Sequence, residues 1–319
     1  MMLEIIPLQE EHLGDAAALV CSRYKDLWEG DPLLPYQYQE PQSILPLLHN
    51  IMMADVPGVA VVQDGQLAGF LTGWLMPEFR GKRSVYSPEW ANAAKVGNSR
   101  TIYEEMYRQI AAAWVRKKYV AHYISIFAND SEAIRACQWL GFGMLGIDAL
   151  RGLQPIREIN EQIDVHRAGI QEVDQVLDLH AELVQYMKGS PSFFITDGLS
   201  KEYIEKWVNA PDKVIWLADV DEEPVAFLRM GPANDDAGTI IYDEKTTSIY
   251  GAYTRENMRG QDVMTTLLAH AIESARNEGY ERCTVDFETM NILGTRFWLG
   301  RGFSPVTYSL LRYVDERLI

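Results

Sequence analysis

The residues best suited to chemistry lie between Ile249 and Phe303. A loop reads Arg259-Gly260-Gln261-Asp262-Val263-Met264 and leads into an amphipathic pattern. In that pattern Val263, Leu267, Leu268, Ala271, Ile272 and Ala275 share one face, as in a helix buried against a sheet. The start of such a helix offers N–H groups without acceptors and the positive end of a dipole, so it can receive an anion. Arg259 adds a cation, and Gly260 lets backbone come close to a phosphate. Asp262 works the other way. Its carboxylate can cap its own helix, and it repels a second unit charge about 4 Å away by roughly 1–4 kcal/mol. Asn291 follows, then eleven residues and Phe303, within Asn-Ile-Leu-Gly-Thr-Arg-Phe-Trp-Leu-Gly-Arg-Gly-Phe. Glu288 and Asp286, two residues apart at a strand end, are candidate general bases.

These groups need a scaffold, and the pattern supplies one. Strands are expected at 248–254 and 282–287, with the helix between them ended by Gly279. Upstream come a strand at 164–168, helices at 173–187 and 199–209, and a hairpin of 214–218 with 224–230. A polar patch at 234–236 leads to the next strand, and 305–314 reads as the last one. The first half repeats this order: strand 3–7, helix 13–24, and strands 58–62 and 67–75 around the turn Asp64-Gly65. A helix over 100–117, a strand over 122–127 and a helix over 133–140 follow, ending at Gly141-Phe142. Gly141-Phe142 and Gly302-Phe303 lie 161 residues apart, and Phe70 and Phe227 lie 157 apart. Similar offsets at distant landmarks mark an internal repeat. The expected division is a domain over 1–153, a polar linker over 154–162 and a domain over 163–319. The aromatic segment 28–41 and its counterpart 191–194 read as loops able to line a pocket.

The order strand, anion loop, helix, strand, Asn…Gly-Phe resembles the GNAT superfamily of acyl-CoA-dependent N-acyltransferases. The resemblance covers nearly the whole chain as a tandem pair. It implies two α/β domains, each an α+β mixed sheet with helices, and acetyl-CoA as co-substrate. It implies transfer of the acetyl group to a small amine by direct attack of nitrogen on the thioester, with the active site in the C-terminal domain. The coenzyme would be held by Arg259, Gly260, Gln261, Asp262, Val263, Met264, Thr265, Asn291 and Trp298. Backbone at Ala252, Tyr253 and Thr254 would polarise the acyl carbonyl. The family loop reads Arg/Gln-x-x-Gly-x-Gly/Ala, and here Asp262 and Met264 replace its two small residues. Trp298 stands where the family often has a tyrosine acid, and indole is no practical acid. Tyr308 and Tyr253 are the substitutes, with Glu288 as base. In the first half Asp130 falls in the Asn register and Cys137 in the Tyr register, and no Arg-Gly loop precedes the helix. That half keeps the fold with a degraded coenzyme site. The rival reading is a catalytically inactive binding or scaffold protein.

Composition narrows the partners. The net charge of −16 disfavours nucleic acid, which calls for a basic field. No run reaches about 18 apolar residues and the N-terminus lacks signal-peptide character, so no membrane span and a cytoplasmic location are expected. Cys21, Cys137 and Cys283 are too few and too scattered for a disulfide framework, and the six histidines show no metal spacing. The residues leave open the acceptor, the acyl group and the oligomeric state, a homodimer included.

Overall fold

A computed structural model describes residues 3–157, 159–233 and 238–318. The polar patch 234–236 and Glu158 of the expected linker lie outside them. The first half contains β1 (Leu3–Pro7), α1 (Leu13–Gly30), α2 (Pro41–Met53), β2 (Gly58–Gln63), β3 (Gln66–Thr72), β4 (Trp74–Phe79), β5 (Lys82–Ser87), β6 (Asn92–Ala94), α3 (Ser99–Arg116), β7 (Ala121–Phe127), α4 (Ser131–Trp139) and β8 (Gly143–Gly152). The second contains β9 (Asp164–Arg167), α5 (Val173–Lys188), α6 (Lys201–Asn209), β10 (Val214–Val220), β11 (Glu223–Pro232), β12 (Thr246–Thr254), α7 (Val263–Asn277), β13 (Arg282–Glu288), α8 (Ile292–Gly300) and β14 (Ser304–Tyr313). The mixed α/β class is as expected. Two features go beyond the sequence pattern. Helix α2 forms where no element was legible, opened by Pro41, whose fixed φ suits a first turn. The stretch after β3 builds a β4–β5 hairpin and a short β6.

The chain divides into two compact units that do not follow chain order. The first holds Met1–Asp148, Gly238–Ile240 and Pro305–Ile319, and the second Ala149–Ala237 and Ile241–Ser304. The last strand of the sequence therefore belongs to the first unit, where β14 pairs antiparallel with β7, Thr307 opposite Phe127 and Tyr313 opposite Ala121. The end of β8 belongs to the second unit, where the Thr284 hydroxyl of β13 donates to the Ala149 carbonyl at 2.9 Å. Neither strand's residue pattern states which sheet edge it joins.

In the second unit β9, β10, β11 and β12 are antiparallel neighbours, and β13 joins β12 in parallel. One sheet face is covered by α5 and α6 through Val173, Val176, Leu179, Ile204 and Trp207, which close on Ile215, Leu217, Phe227 and Tyr253. Helix α7 buries Val263, Leu267, Leu268, Ala271, Ile272 and Ala275, the face expected from its periodicity. Each large side chain so buried contributes about 1.5–3 kcal/mol, which fixes the helix and with it the loop at its start.

The decisive local feature is where two strands part. The β12–β13 ladder runs from Thr246 opposite Arg282 to Ile249 opposite Val285 and stops, while the strands continue to Thr254 and Glu288. On its other side β12 stays paired with β11, but the register slips between Arg229 and Met230, leaving Tyr250 as an extra residue. Such a bulge bends and twists a strand. Beyond it, the backbone edge of β12 that faced β13 is open.

Candidate functional site

A cleft of about 320 Å³ lies in the second unit, at this open end of β12. Ala252, Tyr253 and Thr254 form its strand wall. Arg259, Gly260, Asp262, Val263, Met264 and Thr265 form the wall at the start of α7, and Asn291, Gly294, Phe297, Trp298 and Arg301 the wall at α8.

The loop before α7 achieves its turn with two left-handed residues, Gly260 at φ 77° and Asp262 at φ 60°. Aspartate is one of the few non-glycine residues that enters this region at modest cost. Its carboxylate does not cap the helix, contrary to the expectation that it could. It is exposed and stands 3.9 Å from the Arg301 guanidinium. The first helical bond runs from the Thr266 N–H to the Asp262 carbonyl at 2.9 Å. The amides of Val263, Met264 and Thr265 therefore precede the internal ladder, and all three residues line the cleft. Gln261 sits in the same turn but is absent from the lining, and its side chain donates to the Asn257 carbonyl at 3.0 Å.

Arg259 is held from three sides. Its Nε donates to the Thr254 carbonyl at 3.2 Å, and its guanidinium lies 4.6 Å from the Tyr186 ring and 5.6 Å from the Tyr253 ring. Aromatic faces and a carbonyl fix a cation without neutralising it. The Tyr186 hydroxyl donates to Asn291 Oδ1 at 3.1 Å, and the same oxygen accepts the Gly294 N–H at 3.1 Å, so Asn291 caps α8. Tyr253 sits beside Glu182, which is also ion-paired with Arg255 at 3.1 Å. Burial and the Glu182 charge raise the Tyr253 pKa, so its phenol stays protonated at neutral pH.

The remaining expected residues fall as follows. Trp298 lines the cleft but is itself buried, edge-on to Phe297 and Phe303. Glu288 ends β13 half-buried, and its carbonyl accepts the Asn291 N–H at 3.0 Å. Asp286 is exposed. Tyr308 stands on β14 opposite Ile126, in the first unit. Sequence reasoning missed Tyr186, Leu183 and Arg301. The available signal for Leu183 and Tyr186 was α5, whose apolar spacing continues through both, and they pack at the margin of the sheet-covering core.

The first unit offers a different environment at corresponding places. Asp130 caps α4, accepting the Ala133 N–H at 3.0 Å, and is ion-paired with Arg23 of α1 at 3.2 Å. The Ser99 hydroxyl, at the start of α3, also donates to it at 3.3 Å. The Cys137 thiol is buried and pushed up to about 12, so it is no nucleophile at neutral pH. Cys21 and Cys283 are likewise buried and free.

The second-unit cleft has the features of an anion-binding site. It combines free helix amides, a fixed arginine, an open strand edge and apolar walls, and the one carboxylate in the loop faces Arg301. Among the described residues no cluster of three or more histidines, cysteines or acids is placed to hold a metal ion, and no helix is long and apolar enough to cross a membrane.

Comparison with known proteins bears on the fold. Residues 180–303 match the family model of the Acetyltransferase (GNAT) family. The chain is similar in fold to a GCN5-related N-acetyltransferase from Sphaerobacter thermophilus, with a TM-score of 0.61 at 14% identity, covering 98% of this chain and 95% of that one. It is also similar to a tandem GNAT protein from the clavulanic acid biosynthesis pathway, with a TM-score of 0.50 at 11% identity, covering 98% of both chains. No curated protein matches the sequence.

Proposed function

We propose, from the match of residues 180–303 to the GNAT family model and the likeness in fold to a tandem GNAT protein, that the chain transfers an acetyl group from acetyl-CoA to a small amine in the second unit. The observation that carries this reading is the parting of β12 from β13 after Ile249 and Val285, beside the free amides of α7. The amides of Val263, Met264 and Thr265 and the Arg259 guanidinium would hold the pyrophosphate. The open edge at Ala252–Thr254 would pair with the amide groups of the coenzyme arm, and a strand N–H there would polarise the thioester carbonyl.

Transfer forms a C–N bond and breaks the C–S bond. The acceptor ammonium must first lose a proton, for which Glu288, at the end of β13, is the carboxylate assigned from sequence, acting directly or through water. The departing thiolate takes a proton, and Tyr253 is the protonated phenol in the cleft wall. Tyr308, the other tyrosine assigned this part from sequence, lies in the first unit and has no part in this proposal. Free buried thiols and a net charge of −16 support work in a reducing cytosol on small molecules, not on nucleic acid.

The test is release of coenzyme thiol from acetyl-CoA in the presence of a panel of primary amines, with Arg259→Ala as control. Turnover that depends on amine and falls in the variant supports the proposal. Acetyl-CoA binding without turnover favours the silent-binder reading, to which Trp298 in the acid register lends support. No binding at millimolar acetyl-CoA excludes both.

A further inference from the structure

Beside β12, the strand that walls the cleft, is a buried cation that no carboxylate among the described residues neutralises. Arg229 lies on β11 opposite Gly251, one residue from the bulge at Tyr250. It is only 6% exposed. Its Nη2 donates to the Tyr250 carbonyl at 2.7 Å, Nε and Nη1 meet no acceptor in hydrogen-bond geometry, and the Tyr203 side chain beside it only partly offsets the burial that lowers its pKa. The guanidinium is walled by Trp207 at 5.0 Å and Tyr203 at 5.9 Å. Among the described residues no carboxylate forms an ion pair with it. Glycine at 251 permits the arrangement, since a Cβ there would stand 3.2 Å from Nη2.

A buried charge without a counter-charge is costly, and a chain selected for stability alone would replace it with an apolar residue. Unpartnered buried donors next to a ligand cleft point instead to a missing acceptor. The phosphate end of the cleft is already served by Arg259 and α7, beyond Thr254. Arg229 is at the opposite end of the open strand segment, about 13 Å away along Tyr250–Thr254. That is where a ligand threaded along β12 from the phosphate end would present its other terminus. Among the described residues the buried charge within these walls is that of Arg229: Lys213, 4.8 Å from the same Trp207 ring, is exposed, and His180 of α5, which senses Arg229, is held toward its neutral form by burial. One fixed positive charge between aromatic walls suits a monoanion better than a phosphate dianion.

We propose that the acceptor amine of this cleft also carries a carboxylate, as in an amino acid, and that Arg229 receives it. The inference rests on the acetyl-transfer reading above. It assigns Arg229 to acceptor choice and gives it no part in holding the coenzyme.

The experiment measures thermal shift and calorimetric binding on the full chain saturated with coenzyme A. The probes are a panel of N-acetylated amino acids, the primary amide of each, and O-phosphoethanolamine. At least one acid should bind while its amide does not, and Arg229→Met should weaken that acid about 10- to 100-fold. Without ligand, Arg229→Met should raise the melting temperature, because an orphaned charge has been removed; a structural arginine would give a fall. The acetyl-CoA shift of the variant should match the wild type. Equal binding of acids and amides, binding of no acid, or preference for the phosphomonoester overturns the proposal. So does a variant that keeps the acid. Failure of wild-type protein to bind acetyl-CoA at all is a separate result, and it overturns the acetyl-transfer reading together with this one.

Discussion

At the start of its last helix the second unit has Asn291, half-buried, whose side chain accepts from Gly294 and from the Tyr186 hydroxyl. In the same register the first unit has Asp130, buried, which accepts from Ala133 and Ser99 and is ion-paired with Arg23. Both residues cap a helix. The neutral one leaves a cleft wall, while the charged one draws an arginine and a serine into the space. A second difference lies at the parting strands. The β5–β7 ladder ends at Ser87 opposite Ile124, as β12–β13 ends at Ile249 opposite Val285. The second unit spends one bulged residue, Tyr250, before β12 continues. The first spends residues 88–91 before β6, and buries Glu89 and Trp90 among them. Glu89 accepts the Ile240 N–H at 3.2 Å, and Trp90 donates to Thr239 at 3.2 Å. In the first unit buried polar and aromatic side chains occupy these places, whereas in the second the corresponding places line a cleft.

The largest effect should come from unpicking the filled unit. Asp130→Ala leaves Arg23 buried with only the exposed Asp26 at 2.7 Å, and should cost about 3–5 kcal/mol in chemical denaturation. Its acetyl-CoA affinity should stay within about twofold of wild type. Asn291→Ala should do the reverse, costing about 1 kcal/mol of stability while weakening the coenzyme.

A pH profile sharpens the contrast. Burial pushes the Glu89 carboxyl up to about 7 from an ordinary 4.5, and the Asp148 charge adds to the rise. Asp148 is itself raised by burial and accepts from the Thr307 hydroxyl. Folding therefore takes up a proton between these values. The stability that Glu89 contributes is complete below about 4.5 and is lost as pH rises through 7. Between those limits the wild type should lose about 2–4 kcal/mol more than Glu89→Gln, read from denaturation midpoints.

In the open unit, Arg259→Ala should weaken acetyl-CoA about 10- to 100-fold by calorimetry. Arg100→Ala should change it less than about twofold, because Arg100 is a surface residue paired with Glu104 at 2.9 Å. Equal effects would erase the distinction between the units. The smallest change is expected from Asp262→Gly, which relieves a left-handed aspartate and removes a negative charge from the phosphate end. It should tighten acetyl-CoA a few-fold, equivalent to about 1 kcal/mol. An unchanged or weaker affinity would show that the carboxylate is already harmless at its place beside Arg301.

The sequence carried the framework well and the polar detail poorly. The face of α7, the Asn291-to-Phe303 spacing and the repeat offset were legible because burial enforces periodicity on long elements. Of the loop residues named from sequence, Arg259, Gly260 and Asp262 to Thr265 line the cleft because they are pinned to the start of that helix, and Gln261 does not. Tyr186, Arg301 and Arg229 were not, since each acts across a tertiary contact that no local pattern encodes. Asp262 shows the limit from the other side. Its type suggested a cap, yet its left-handed backbone turns the carboxylate away from the helix amides. The place of β14 in the first unit was equally hidden, because strand alternation states which face is buried but not which neighbour supplies the ladder.

The central claim is that one unit of the pair binds acyl-CoA and the other does not. Calorimetric titration of acetyl-CoA into the full chain, and into Asn291→Asp and Asp130→Asn, tests it most directly. The account predicts about one equivalent per chain, affinity reduced in Asn291→Asp by the added charge, and no change in Asp130→Asn. Two equivalents, none, or a loss of affinity in Asp130→Asn alone would contradict it.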